Sequence, residues 1–288
     1  MIRVDYHFHP NLPLLNKTLS KKKACAIWRE LGRNDLDVVV VTEHNYKNPK
    51  TQFELLESQK PKNTKTTIFP GLEFLTKEGV DTIVFTKDKK DIYSKKKLLE
   101  PRSLNMEELI DYVKKDKKLH AIVTHPCTPG MTSILRKCGR PTTLNALHAF
   151  GKIEVHNCAL DVLEVIIRKP LLNKIFCKKH SQIKDTQNAP SDLIVDGVQR
   201  TGGSDAHQIG EIGSCMEINE KYVSDKDKLF DIITSKSGTF HRKEKPPSTL
   251  VIGIGTTFKE WMIKKARLYT IDKPLASLYL FDKLRKNI

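Results

Sequence analysis

The stretch Val4–Asn11, VDYHFHPN, sets His7 and His9 two residues apart at the end of what reads as a β-strand. Side chains on a strand repeat every second residue, so both imidazoles face one side there. Other histidines and carboxylates follow the same rule. Glu43 and His44 close LDVVVVTEH (36–44), and Glu73 falls at the end of TTIFPGLEF (66–74). His125 ends LHAIVTHP (119–126), His156 ends KIEVHN (152–157), and Asp205 and His207 follow QRTGG. Six of the ten histidines sit in such places, leaving His120, His148, His180 and His241 elsewhere. Imidazole nitrogen and carboxylate oxygen together suit zinc, manganese or iron, and the lack of thiolates among them argues against a purely structural zinc site. A carboxylate shared by two cations about 3.5–4 Å apart is the arrangement of hydrolytic two-metal centres, where bound water turns nucleophilic near neutral pH.

The elements that must position these groups are short β-branched runs alternating with longer helical patterns. IRVDY (2–6) predicts a strand, and SKKKACAIWRELGRN (20–34) a helix with Ser20 as N-cap and Gly32 near its end. The run at 36–44 predicts a strand buried on both faces, with further strands at 66–74 and VDTIVFT (80–86). A helix over Ser103–Lys117 leads into 119–126, and strands follow at 152–157, 197–205 and 213–218. Strands alternating with helices predict a parallel β/α architecture, and in a β/α barrel the carboxyl ends of the strands converge on one face. HRKEKPPSTL (241–250) is the one break in the pattern, ahead of the helical FKEWMIKKARLY (258–269). The expected organisation is a hydrolase barrel over 1–240 and a helical extension over 241–288 packed on it.

The bulk properties set limits. A chain of 288 residues with 39% hydrophobic content can bury a real core. It carries no apolar stretch of membrane-spanning length and opens directly on a strand, so a cytoplasmic protein without membrane association is expected. The six cysteines, Cys25, Cys127, Cys138, Cys158, Cys177 and Cys215, form no CxxC pair and read as reduced thiols. The net charge of +16 comes with lysine runs at Lys21–Lys23, Lys95–Lys97 and Lys114–Lys118. Such a surface attracts anions, so a phosphorylated small molecule or nucleotide is the expected partner. The lysines are scattered and lack interleaved aromatics, which favours a solvated surface over a nucleic-acid stripe.

The motifs HFH (7–9), TEHN (42–45), GLEF (71–74), THP (124–126), EVHN (154–157) and GSDAH (203–207), in that order, resemble the polymerase and histidinol phosphatase (PHP) domain family of metal-dependent phosphoesterases. The resemblance spans roughly residues 1–218. It implies an α/β fold, a distorted seven-stranded (β/α)7 barrel of the PHP type, and two or three divalent ions (Mn, Zn or Fe). His7, His9, Glu73 and Asp205 would form a first subsite. Glu73, as a bridge, with His125 and His156 would form a second, and His44 and His207 would serve a third. The implied activity is hydrolysis of a phosphomonoester or nucleotide-type ester, with Glu73, His207 and Glu43 as catalytic residues and Glu43 orienting His44. Two departures stand out. PNLPLLNKT, after HFH, lacks the further ligand of trinuclear members, and Thr82 stands where many members carry a histidine. Arg136 and Arg140 in SILRKCGR, with Arg200, are the candidate phosphate-binding side chains. Two alternatives stay open: a catalytically idle metal-binding module, motivated by the missing ligand, and a 3'-5' exonuclease, motivated by the charge.

Overall fold

A computed structural model of the chain describes residues 1–127, 132–158, 193 and 195–243. Contacts divide the chain into two units, Met1–Glu244 and Lys245–Ile288. The second, with the helical tail expected at 258–269, lies outside the described residues, as do Cys177 and His180.

Strands β1 (Ile2–Phe8), β2 (Val38–Val41) and β3 (Thr67–Leu75) pair in parallel. The four valines of β2 are buried on both faces, Val38 and Val40 in one apolar cluster and Val39 and Val41 in another. Strand β4 (Asp81–Phe85) departs from this order. Thr76–Val80 close a tight turn, with Thr76 N–H donating to Val80 O (2.9 Å) and Gly79 at φ 84°. β4 therefore returns antiparallel to β3, because a parallel return needs a crossover of a dozen or more residues. β5 (His120–Ile122) is antiparallel to β4, β8 (Cys215–Ile218) to β1, and β9 (Thr239–His241) to β8. β6 (Lys152–Asn157) and β7 (Gln199–Gly203) form a separate parallel pair.

The large sheet runs β5-β4-β3-β2-β1-β8-β9. This corrects the expected (β/α)7 barrel: the sheet is mixed and curls into a half-barrel in which strands dominate and helices do not alternate with every strand. An apolar run such as VDTIVFT looks the same parallel or antiparallel, so periodicity alone could not give its direction. The two-stranded sheet meets β1 through a Phe8–Ala206 bridge and β5 through a Val123–Ile153 bridge.

Helix α1 (Lys17–Arg33) buries Ala24, Ile27, Trp28 and Leu31 at helical spacing. Its cap is Asn16, whose side chain accepts from Leu19 N–H; the expected cap, Ser20, lies inside the helix and donates its hydroxyl to Pro13 O (2.6 Å). Helices α2 (Pro49–Ser58), α3 (Lys89–Tyr93) and α4 (Lys96–Leu99) precede α5 (Met106–Lys115), which an Asn105–Glu108 capping box starts. α6 (Ile134–Phe150) and α7 (Lys226–Ser235) complete the helices described. Among the described residues no helix is long and apolar enough to cross a membrane.

Two register slips aim the polar side chains. Between β1 and β2, the three steps from Asp5 to Phe8 face the two from Val39 to Val41. Val4 accordingly packs with Val38 and Val40, whereas Phe8 packs with Val39 and Val41. The slip moves His7 and His9 onto the face of Val4. In β6, the two steps from Glu154 to His156 face the single step from Thr201 to Gly202.

Candidate metal centre

His7 and His9, both buried, leave β1 with their Nε2 atoms 3.0 Å apart. Asp205 follows β7, and its Oδ1 stands 3.2 Å from His9 Nε2 and 3.4 Å from His7 Nε2. Backbone bonds lock this junction: Asp205 N–H donates to His7 O (2.8 Å) and His9 N–H to Ala206 O (3.1 Å). Below it, the buried Asp5 accepts from the backbone N–H groups of His7 and Ser204 and from the Ser204 hydroxyl. Burial pushes the Asp5 carboxyl up to about 6, against those hydrogen bonds.

Glu73 comes from the face of β3 shared with Phe69, by alternation. Its carboxylate reaches His7 (3.7 Å), His9 (3.6 Å), His44 Nδ1 (2.6 Å) and His125 Nε2 (3.2 Å). His207 stacks on His9 at 4.3 Å and donates from Nδ1 to Asp205 O (3.0 Å), while His44 stacks on Tyr46 at 4.8 Å. Three sets emerge whose ligand atoms lie within 4.8 Å of one another: His7, His9 and Glu73; His9, His44 and His207; and Glu73, Asp81 and His125. His207 (17% exposed) and Asp205 (12%) form the open side of an otherwise sealed cluster.

The electrostatics run in opposite directions for acids and imidazoles. Burial would raise Glu73, but His44, His125 and His7 hold its carboxyl well below its usual value. Asp205 is held low against burial by His7, His9 and His207. Burial would lower His7, yet Asp205 and Glu154 hold it well above its usual value. His9 is lifted to about 9, with Asp205 and Glu43 overcoming burial. His44 is pushed down to about 3 by burial despite Glu73, and burial with His9 also lowers His207.

These residues fit divalent cations. His44 Nδ1 is buried 2.6 Å from Glu73, and the Nε2 atoms of His7 and His9 lie 3.0 Å apart with Asp205 Oδ1 within 3.4 Å of both. Buried lone pairs aimed at a common space are satisfied by a cation rather than by each other. In the metal-free chain, protons on His7 and His9 meet this need. A folded value near 9 against 6.5 means that His9 contributes stability fully below about pH 6.5 and loses it as pH rises through about 9. A cation that displaces those protons should therefore bind more tightly across the same interval, by up to about tenfold per pH unit for each proton released. Calorimetric Mn(II) titration at several pH values reads this directly; an affinity independent of pH contradicts it.

The sequence expectations divide. His7, His9, His44, Glu73, His125, Asp205 and His207 are brought together. His156 is not: the slip in β6 turns it outward, where it is exposed and stacks on Phe240 at 4.3 Å. Glu43 is buried beside the cluster but does not orient the His44 ring. It lies 3.5 Å from His9 Nδ1, and its two oxygens accept from the His44 and Asn11 N–H groups. Arg136 and Arg140 are exposed on α6. Arg200 is exposed on the face of β7 opposite Gln199 and Thr201, and makes no contact with the cluster among the described residues.

Two carboxylates were not singled out in the sequence. Glu154 faces inward because its neighbour Ile153 enters the apolar core. Its Oε1 holds His7 Nδ1 (2.9 Å), and its Oε2 accepts from His125 N–H (2.7 Å) and Asn157 Nδ2 (3.1 Å). These bonds leave His7 Nε2 directed at the cluster and steady His125, whose φ of 27° is unfavourable for a side-chain-bearing residue. Glu154→Gln should weaken Mn(II) binding about 10–100-fold. Unchanged binding in equilibrium dialysis would remove Glu154 from that role. Asp81, the second, opens β4.

Fold and cluster together define an α/β protein with a buried histidine–carboxylate centre able to hold metal ions. The crystal structure of PsfC from Pseudomonas syringae PB-5123 is similar to it, with a TM-score of 0.59 at 19% identity over 91% of this chain and 100% of PsfC. At that identity the likeness shows the fold alone. A Bifidobacterium adolescentis protein provisionally named a metal-dependent phosphoesterase aligns at a TM-score of 0.40 and 12% identity, over 81% of this chain and 96% of that one. That score carries no argument for this chain. No family model and no curated protein matches the sequence.

Proposed function

We propose that this chain is a metal-dependent phosphoesterase of the PHP type, hydrolysing a phosphomonoester or nucleotide-type ester. The observation that carries the reading is the convergence of five chain-distant segments on one buried point: His7 with His9, His44, Glu73, His125, and Asp205 with His207. Divalent cations bound there would supply Lewis acidity, activating water and stabilising charge on the phosphoryl oxygens.

The chain's own residues set the conditions. Glu154 takes the proton side of His7 and leaves Nε2 facing the centre. Burial and His9 keep His207 below its usual value, so this most exposed member of the cluster is neutral near pH 7 and offers a lone pair. Lys47, half-buried with its ammonium 4.0 Å from Glu43, puts positive charge beside the centre, where the phosphate of a substrate would need it.

The test is a screen of the manganese-loaded chain against phosphomonoesters, cyclic nucleotides and short oligonucleotides. Metal-dependent release of phosphate or of a nucleotide monophosphate from a small ester supports the reading. Metal binding without turnover would identify an idle metal-binding module, and turnover confined to oligonucleotides an exonuclease.

A further inference from the structure

The antiparallel return of β4 places at the cluster a residue that the parallel reading put at the far end of the barrel. In the β3–β4 ladder Leu75 faces Asp81 and Glu73 faces Ile83, so Glu73, Asp81 and Ile83 share one side of the sheet. Ile83 points into the same apolar cluster as Phe69 and Phe85. Asp81 stands one step further toward the strand ends that carry Glu73 and His125. It is 3% exposed, and its carboxylate, with those of Glu73 and the His125 imidazole, forms a set whose ligand atoms lie within 4.8 Å of one another. Two carboxylates that close and that buried repel strongly unless a cation lies between them. Meanwhile His156, expected to complete a subsite with Glu73 and His125, is turned to the surface by the β6 slip.

We propose that Asp81 is a ligand of a second divalent cation, completing with Glu73 and His125 the subsite that the family resemblance gave to His156. The inference rests on the metal-centre reading above and adds the composition of one subsite to it. An O,O,N donor set built on two carboxylates suits manganese or iron over a thiolate-seeking metal.

The experiment counts Mn(II) bound per chain, by equilibrium dialysis and elemental analysis, in the unaltered protein and in Asp81→Asn, Asp81→Glu and His156→Ala. Circular dichroism checks that each variant is folded. Asp81→Asn should hold one ion fewer, while Asp81→Glu and His156→Ala should hold the full number. An unchanged count in Asp81→Asn, or a lost ion in His156→Ala, overturns the assignment while leaving the metal centre standing. No bound Mn(II) in the unaltered protein overturns the metal-centre reading itself. Anomalous density in Mn(II)-grown crystals of the unaltered chain decides the point without any substitution. A peak coordinated by Asp81 supports the assignment, and one on Glu73 and His125 that leaves Asp81 uncoordinated overturns it.

Discussion

Glu73→Gln should lower kcat/KM for a phosphate ester by about 10³-fold or more, equivalent to about 4 kcal/mol of transition-state stabilisation. Glu73 is the carboxylate that two of the three ligand sets share, and it also lies against His44. Glutamine keeps the length and one oxygen but removes the charge, and its amide would present N–H donors to imidazole nitrogens that need a cation. The same change should lower the number of bound Mn(II) ions, because both sets lose their common carboxylate. Steady-state kinetics and metal counting on one preparation test it. Full metal content with a kcat/KM within about threefold of the unaltered protein would remove Glu73 from the centre.

Gly203→Ala should cost about 3 kcal/mol of stability, through a contact rather than a lost ligand. A Cβ at this position would lie 2.5 Å from His7 Cβ, 2.6 Å from His7 N and 2.9 Å from Asp5 Oδ1. The two nearest are the backbone nitrogen and Cβ of one buried strand residue, so they cannot swing aside as the tip of a long side chain could. Relief requires β7 and β1 to part, which also draws Asp205 away from His7 and His9. Chemical denaturation and Mn(II) titration should therefore shift together. A stability change below about 0.5 kcal/mol would show that the strands are not held this closely.

The metal-type cluster was legible in the sequence because imidazoles and carboxylates are rare at strand ends unless something holds them there. The residues of HFH, TEH and GSDAH lie together in the structure. What failed was direction and register. The KEG turn after β3 is too short for a crossover helix, and that signal outweighed the apolar run that suggested one more β/α unit. The resulting hairpin brought Asp81 in, and the β6 slip took His156 out and admitted Asn157 beside Glu154. A one-residue slip exchanges the two faces of a strand, and nothing in KIEVHN announces it. Inward-facing Glu154 could have been found, since Ile153 beside it is the more apolar neighbour and had to face the core. The three arginines were named for their chemistry and for following THPCTPG or preceding TGGSD, and nearness in sequence to those motifs does not fix where a side chain lies.

The most direct test of the central claim is to strip the chain of metal and follow phosphomonoester hydrolysis as Mn(II) is added back. The account predicts no turnover without metal, activity that rises with the number of ions bound, and a plateau when the sites are full. Hydrolysis that proceeds unchanged in the stripped chain, or full Mn(II) binding with no hydrolysis of any phosphate ester, would contradict it.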